Sequence, residues 1–172
     1  MFRAHGIQKG DRVMLVLKRH YEFWFSILAL HKLGAIAIPA TNLLTTKDIL
    51  YRTQAANIKA VVCSGTCDVA SFVDEAEKKL GTPYQAKFIA KGSREGWISF
   101  NQEIQRYPDH FERENTHADD GMLLYFTSGT TGNPKMVLHS HYYAIYHITT
   151  AHNWHCIDPD GLHLSLAETG WG

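Results

Sequence analysis

Residues 12–39 read RVMLVLKRHYEFWFSILALHKLGAIAIP. They follow the turn signal Lys9-Gly10-Asp11, and residues 12–17 form an apolar run of strand length. Residues 21–33 read as a helix, with Gly34 as its C-terminal stop, because glycine enters the left-handed backbone region at no steric cost. Residues 35–39 are a second short apolar run, the pattern of a strand buried on both faces. Strand, helix and strand joined by short connections form the unit of a parallel sheet covered by helices. The most apolar stretch, residues 23–33, is broken by His31 and Lys32. It reads as a buried helix, short of the roughly 18–20 residues that a membrane span requires.

The same alternation continues downstream. Thr45 or Thr46 can cap a helix that runs through Asp48 and Tyr51 to about Ala56. Residues 60–64 read as a strand, Asp68 opens a helix reaching Leu80, Gly81-Thr82-Pro83 ends it, and residues 87–90 make a fourth strand. Residues 91–120 are looser, a surface excursion with one short helix over residues 101–107. Residues 122–126 return to strand character, followed by a polar loop, a strand at 136–139 and a helix from His141 to about Trp154. Asp158-Pro159-Asp160-Gly161 reads as a turn and residues 162–166 as another strand. The fold class expected is α/β, a mostly parallel sheet layered with helices. A parallel strand is normally followed by a crossover that covers the sheet, so the sequence reads as cut after Gly172.

Seventeen Lys and Arg balance seventeen Asp and Glu, so no global field favours nucleic acid or an anionic membrane surface. The distribution is uneven, for after Arg113 the only Lys or Arg is Lys135. Cys63, Cys67 and Cys156 are odd in number and lack metal-ligand spacing. They are expected as small buried apolar groups in a reducing compartment, the cytoplasm or, in a eukaryote, the mitochondrial matrix.

The chemistry concentrates in Thr127-Ser128-Gly129-Thr130-Thr131-Gly132-Asn133-Pro134-Lys135. Two glycines three apart let peptide N–H groups converge on an anion. The hydroxyls of Thr127, Ser128, Thr130 and Thr131 add donors to phosphate oxygens, and Lys135 supplies a point charge. A Walker A loop has four residues between its glycines and a helix starting at its Lys. Here two residues separate the glycines, Pro134 removes an N–H, and a strand-like run follows. Flexible backbone, hydroxyls and Lys135 must therefore do most of the binding. An unliganded hairpin turn is the bland reading, but nine residues with four hydroxyls make an unusually long one.

Tyr125 to Lys135 resembles the signature loop of the adenylate-forming superfamily. Gly10-Asp11-Arg12-Val13, Lys32-Leu33-Gly34-Ala35 and Pro39 resemble that family's opening strand–helix–strand. Thr46-Lys47-Asp48-Ile49-Leu50-Tyr51-Arg52 and Glu168-Thr169-Gly170-Trp171-Gly172 resemble the medium-chain acyl-CoA synthetase branch. The resemblance covers essentially the whole chain and implies a partial N-terminal, AMP-binding domain over residues 1–172, without the small C-terminal lid domain. It implies activation of a short- or medium-chain carboxylic acid with ATP, then transfer to CoA, with release of AMP and pyrophosphate. Residues 127–132 would wrap the β- and γ-phosphates and Lys135 would neutralise the departing pyrophosphate. Thr130 or Thr131 would approach Mg2+. Glu168, Thr169, Gly170 and Trp171 would border the nucleotide and acyl pocket, although this branch commonly has Asp where Glu168 stands. Trp171 as a core aromatic is the alternative. The chain by itself is expected not to catalyse adenylation.

Two rivals follow from the residues. Six of the 11 histidines lie between His139 and His163. His139-x-His141 and His152-x2-His155-Cys156 suggest a zinc site, but no second ligand pair stands at recognised spacing. A non-catalytic domain retaining only the fold is the other. A different adenylating enzyme, such as an aryl-CoA ligase, is a rival within the superfamily.

Overall fold

A computed structural model describes residues 1–127, 132–158 and 160–170. A 3-10 turn, Phe2–His5, precedes the first strand and was not anticipated from sequence. The chain then runs through β1 (Arg12–Val16), α1 (Tyr21–Leu33), β2 (Ile36–Pro39), α2 (Thr46–Ala56), β3 (Ile58–Ser64), α3 (Val69–Leu80) and β4 (Ala86–Ala90). It continues with β5 (Ile98–Ser99), α4 (Phe100–Glu103), a 3-10 turn (Ile104–Arg106), β6 (Gly121–Thr127), β7 (Lys135–Ser140) and α5 (Tyr142–Asn153).

The strands form one seven-stranded sheet in the order β5-β4-β3-β1-β2-β6-β7. Every neighbouring pair is parallel except β6 and β7, which run antiparallel. Side chains alternate across the sheet, as period-two strands require. Met14, Val16, Ile38, Val61, Cys63 and Ile89 pack under α2 and α3 on one face. Val13, Leu15, Ala37, Val62, Phe88 and Leu123 pack under α1 and the first 3-10 turn on the other. Burial on both faces explains why the central strands read as unbroken apolar runs.

Local signals set the helix ends. Gly34 closes α1 at φ 70°, where a side chain would be strained. Thr45 rather than Thr46 caps α2, in a reciprocal capping box with Asp48. Asp68 precedes α3 but makes no side-chain cap bond.

Three expectations are corrected. Residues 162–166 are not a strand; they run exposed and irregular, because the alternation of Leu162, Leu164 and Leu166 finds no partner ladder among the described residues. The excursion contains β5 as well as a helix, and its helical part begins at Phe100 and tightens to 3-10 form. The cysteines are not uniformly buried: Cys63 is, Cys67 is half-buried and Cys156 is exposed.

Candidate phosphate-binding site

β1, β2 and β6 are parallel, so their carboxyl ends open on the same edge of the sheet. In open α/β sheets this edge, beyond the ends of the strands, is where ligands gather. The loop singled out in the sequence leaves β6 there. Thr127 and Lys135 are register partners across the β6–β7 pair, so the hairpin closes at the two ends of the motif. The Thr127 hydroxyl donates to the Lys135 carbonyl at 3.5 Å. Gly132 has φ 123°, a backbone conformation that side chains rarely adopt. Asn133 and Lys135 are exposed and Pro134 is half-buried. Among the described residues no carboxylate forms an ion pair with Lys135, which leaves its charge for an anion. Ser128, Gly129, Thr130 and Thr131 lie outside the described residues.

The second predicted segment reaches the same edge. The Thr169 hydroxyl donates to the Lys18 carbonyl just beyond β1. Gly170 lies against the Ala40 and Thr41 backbone beyond β2, and a Cβ there would collide with it. Glycine is therefore required for close backbone approach, not for its φ. Glu168 carries a buried Oε1 with no hydrogen-bond donor among the described residues. Trp171 lies outside the described residues. Tertiary structure thus gathers residues 127 and 132–135 with 168–170 on one edge, although more than thirty positions separate them in sequence.

Sequence reasoning missed two features of this edge. His20 Nε2 lies 3.0 Å from Ser64 Oγ and 3.4 Å from Thr66 Oγ1, and the two hydroxyls are 2.8 Å apart. This cluster bridges the ends of β1 and β3, adjacent strands whose crossovers lead to opposite faces of the sheet. The second feature is Tyr51, whose hydroxyl donates to the Pro134 carbonyl at 2.9 Å. Both join residues far apart in sequence, so no local pattern announces them.

The histidine-rich stretch forms an aromatic ladder. His139 and Tyr143 have ring centroids 4.3 Å apart, and Tyr143 and His147 are 4.2 Å apart. Among the described residues no group of three or more His, Cys, Asp or Glu is placed to hold a metal ion. A groove of about 920 Å³ lies elsewhere, on the outer side of α1, lined by Phe2, Phe25, Leu28 and Phe111. Among the described residues, none of the loop lines it.

Known proteins share this fold. The rat (Rattus norvegicus) mitochondrial acyl-coenzyme A synthetase ACSM5 is 34% identical over 169 residues, covering 98% of this chain and 29% of the relative. The crystal structure of a Brucella canis acyl-CoA synthetase superposes with a TM-score of 0.87 at 26% identity, over 99% of this chain and 31% of that one. The anthranilate CoA ligase AuaEII, solved with anthranoyl-AMP, gives a TM-score of 0.79 at 26% identity, over 89% of this chain and 29% of the other. The chain spans under a third of the length of these proteins. A match to the AMP-binding enzyme family covers residues 1–171, which includes both the loop and the segment docked beside it. On that match, and with the loop standing at the carboxyl edge of a mostly parallel sheet, the chain belongs to the AMP-binding enzyme family.

Proposed function

We propose that the chain is the phosphate-binding part of an AMP-forming acyl-CoA synthetase. In the first half-reaction a carboxylate oxygen attacks the α-phosphorus of ATP, the bond from that phosphorus to the bridging oxygen breaks, and pyrophosphate leaves. In the second, the CoA thiol attacks the acyl carbonyl, the thioester forms, and AMP leaves with the electron pair of the broken bond. In-line displacement at phosphorus depends mainly on positioning and charge neutralisation. The observation that carries the reading is the loop itself, a hairpin closed at Thr127 and Lys135 whose exposed lysine has no carboxylate partner among the described residues.

In this reading the Thr127 to Gly132 segment surrounds the β- and γ-phosphates and Lys135 offsets charge on the departing pyrophosphate. Mg2+ fits the donor set, since it takes a few hard oxygen ligands and shares the rest with phosphate and water. Thr130 or Thr131 would supply the protein oxygen. Glu168, Thr169, Gly170 and Trp171 border the nucleotide and acyl pocket. The docking of Thr169 and Gly170 beside the ends of β1 and β2 supports that placement.

The substrate proposed is a short- or medium-chain fatty acid. The support is the likeness of residues 46–52 and 168–172 to the medium-chain branch. The name of the ACSM5 relative includes "mitochondrial", which favours the matrix as the compartment. The chain is proposed as part of the N-terminal domain of a longer enzyme, and complete adenylation as needing a C-terminal lid domain as well.

Acid-dependent exchange of pyrophosphate into ATP tests this, with acids from acetate to decanoate. The 172-residue chain is expected to give no exchange, and the longer enzyme containing it to exchange fastest with one of these acids. Lys135→Ala in that enzyme should slow adenylation by about 10²–10³-fold, or ~2.7–4 kcal/mol, the usual loss when a preorganised charge stabiliser is removed. Wild-type rates in that variant would remove Lys135 from the mechanism.

A further inference from the structure

One turn of α2 holds both stems of the loop, and we infer that Tyr51 and Arg52 are positioning residues for phosphate binding, an inference that rests on the phosphate-loop reading above. The Tyr51 hydroxyl donates to the Pro134 carbonyl at 2.9 Å, anchoring the peptide that leads directly into Lys135. On the other stem, the Arg52 guanidinium lies 5.1 Å from the centroid of the Phe126 ring, within cation–π range. The Tyr51 and Phe126 rings meet edge to face at 6.3 Å. Phe126 immediately precedes Thr127, the first hydroxyl of the motif.

Arg52 is itself held. Its Nη1 donates to the Asp48 carbonyl at 3.3 Å and lies 3.7 Å from the Asp48 carboxylate. Its side chain is 12% exposed, so the guanidinium is committed to packing rather than to solvent. Asp48 in turn belongs to the capping box that starts α2, and Ile49, Thr53 and Ala56 bury the helix against the sheet. A rigid element therefore grips the residue before the first loop hydroxyl and the residue before the lysine. Restricting both stems before a ligand arrives lowers the ordering entropy that binding must overcome.

Ordinary packing of a half-buried aromatic is the competing account, and Tyr51→Phe separates the two because it keeps the ring and removes only the donor. Hydrogen exchange of backbone amides over residues 127–136 in the unliganded chain should be about fivefold faster in Tyr51→Phe, the effect of losing one neutral hydrogen bond. Arg52→Lys keeps the charge but loses the planar face on Phe126, and should loosen the Thr127 side in the same assay. Lys87→Met is the control. It breaks the Asp74–Lys87–Glu77 bridge between α3 and β4 and should lower the unfolding midpoint without changing loop exchange. Titration with MgATP should show about fivefold weaker binding in Tyr51→Phe, in line with the same bond. Unchanged loop exchange or unchanged MgATP affinity in Tyr51→Phe would overturn the positioning role. No MgATP binding by wild type, with the loop still loosened by Tyr51→Phe, would instead overturn the phosphate reading while the loop-holding contact stands.

Discussion

His31 shows how a single side chain can couple this fold to pH. It sits in the last turn of α1, and its Nε2 is buried without a hydrogen-bond partner among the described residues, as is that of the neighbouring His141. Their ring centroids are 6.1 Å apart. Burial, reinforced by His141, lowers the His31 pKa from the ordinary imidazole value to about 4, although a bond to the Met122 backbone opposes the shift. A depressed imidazole pKa means that the unfolded chain binds the proton more tightly. The stabilisation is therefore fully present above about pH 6.5 and is lost as pH falls towards 4, a swing of up to about 3 kcal/mol. Burial lowers the His141 pKa too, with the same sign. Urea midpoints should fall between pH 7 and 5, and fall less in His31→Gln. Equal slopes in the two proteins would contradict this account. Asp74 does not confuse the window. Although burial pushes its pKa up, bonds from Lys87, Arg94 and Trp97 outweigh that and hold it below the usual carboxylate value.

Among the elements, α2 and the 168–170 segment matter most to the candidate site. Thr45 and Asp48 satisfy each other's backbone N–H groups at the start of α2. Thr45→Ala should cost about 1 kcal/mol of stability, the usual loss for a helix cap. A denaturant midpoint that did not move would show the cap to be idle. Since α2 grips the loop, the same variant should also speed exchange at residues 132–135. The 168–170 segment is held differently, by one hydroxyl bond to Lys18 and by close backbone approach at Ala40. Gly170→Ala places a methyl group against that backbone and should release the segment. Limited proteolysis would then cut near residues 162–168 faster than in wild type, while the core keeps its unfolding midpoint. Cleavage at the wild-type rate would show that the segment tolerates a side chain.

Taken whole, the molecule is unevenly buried. The interiors of β1 and β3 are sealed, whereas α5 buries none of its residues and Met136, Val137 and Leu138 of β7 are 46%, 38% and 55% exposed. Local stability follows buried apolar contact. Amide exchange should therefore be slowest in β1, β3 and β4, and orders of magnitude faster in α5 and residues 161–167. Uniform protection along the chain would refute this gradient. Exposed Tyr21, Trp24, Phe25 and Leu28 add an apolar stripe along α1. With β7 and α5 it leaves several large apolar side chains exposed, and contiguous exposed apolar surface favours association. The isolated chain should accordingly self-associate as its concentration rises, and sedimentation at several concentrations checks this. The relatives, of which it spans under a third, have further chain available to cover such faces.

Much of this was legible in the sequence. The apolar run of β1, the helix ending at Gly34 and a cap at Thr45 or Thr46 are local patterns, and the structure chose Thr45. Central strands buried on both faces announce themselves because nearly every side chain in them must be apolar. Tertiary structure alone decided which strand lies beside which. It denied residues 162–166 a ladder that their alternation suited, and made β5 from two residues too few to signal. It also carried Gly170 to Ala40, His20 to Ser64 and Tyr51 to Pro134. The physical reason is common to all of these: a contact between distant residues depends on the order in which the sheet is assembled, and no window of neighbouring residues encodes that order.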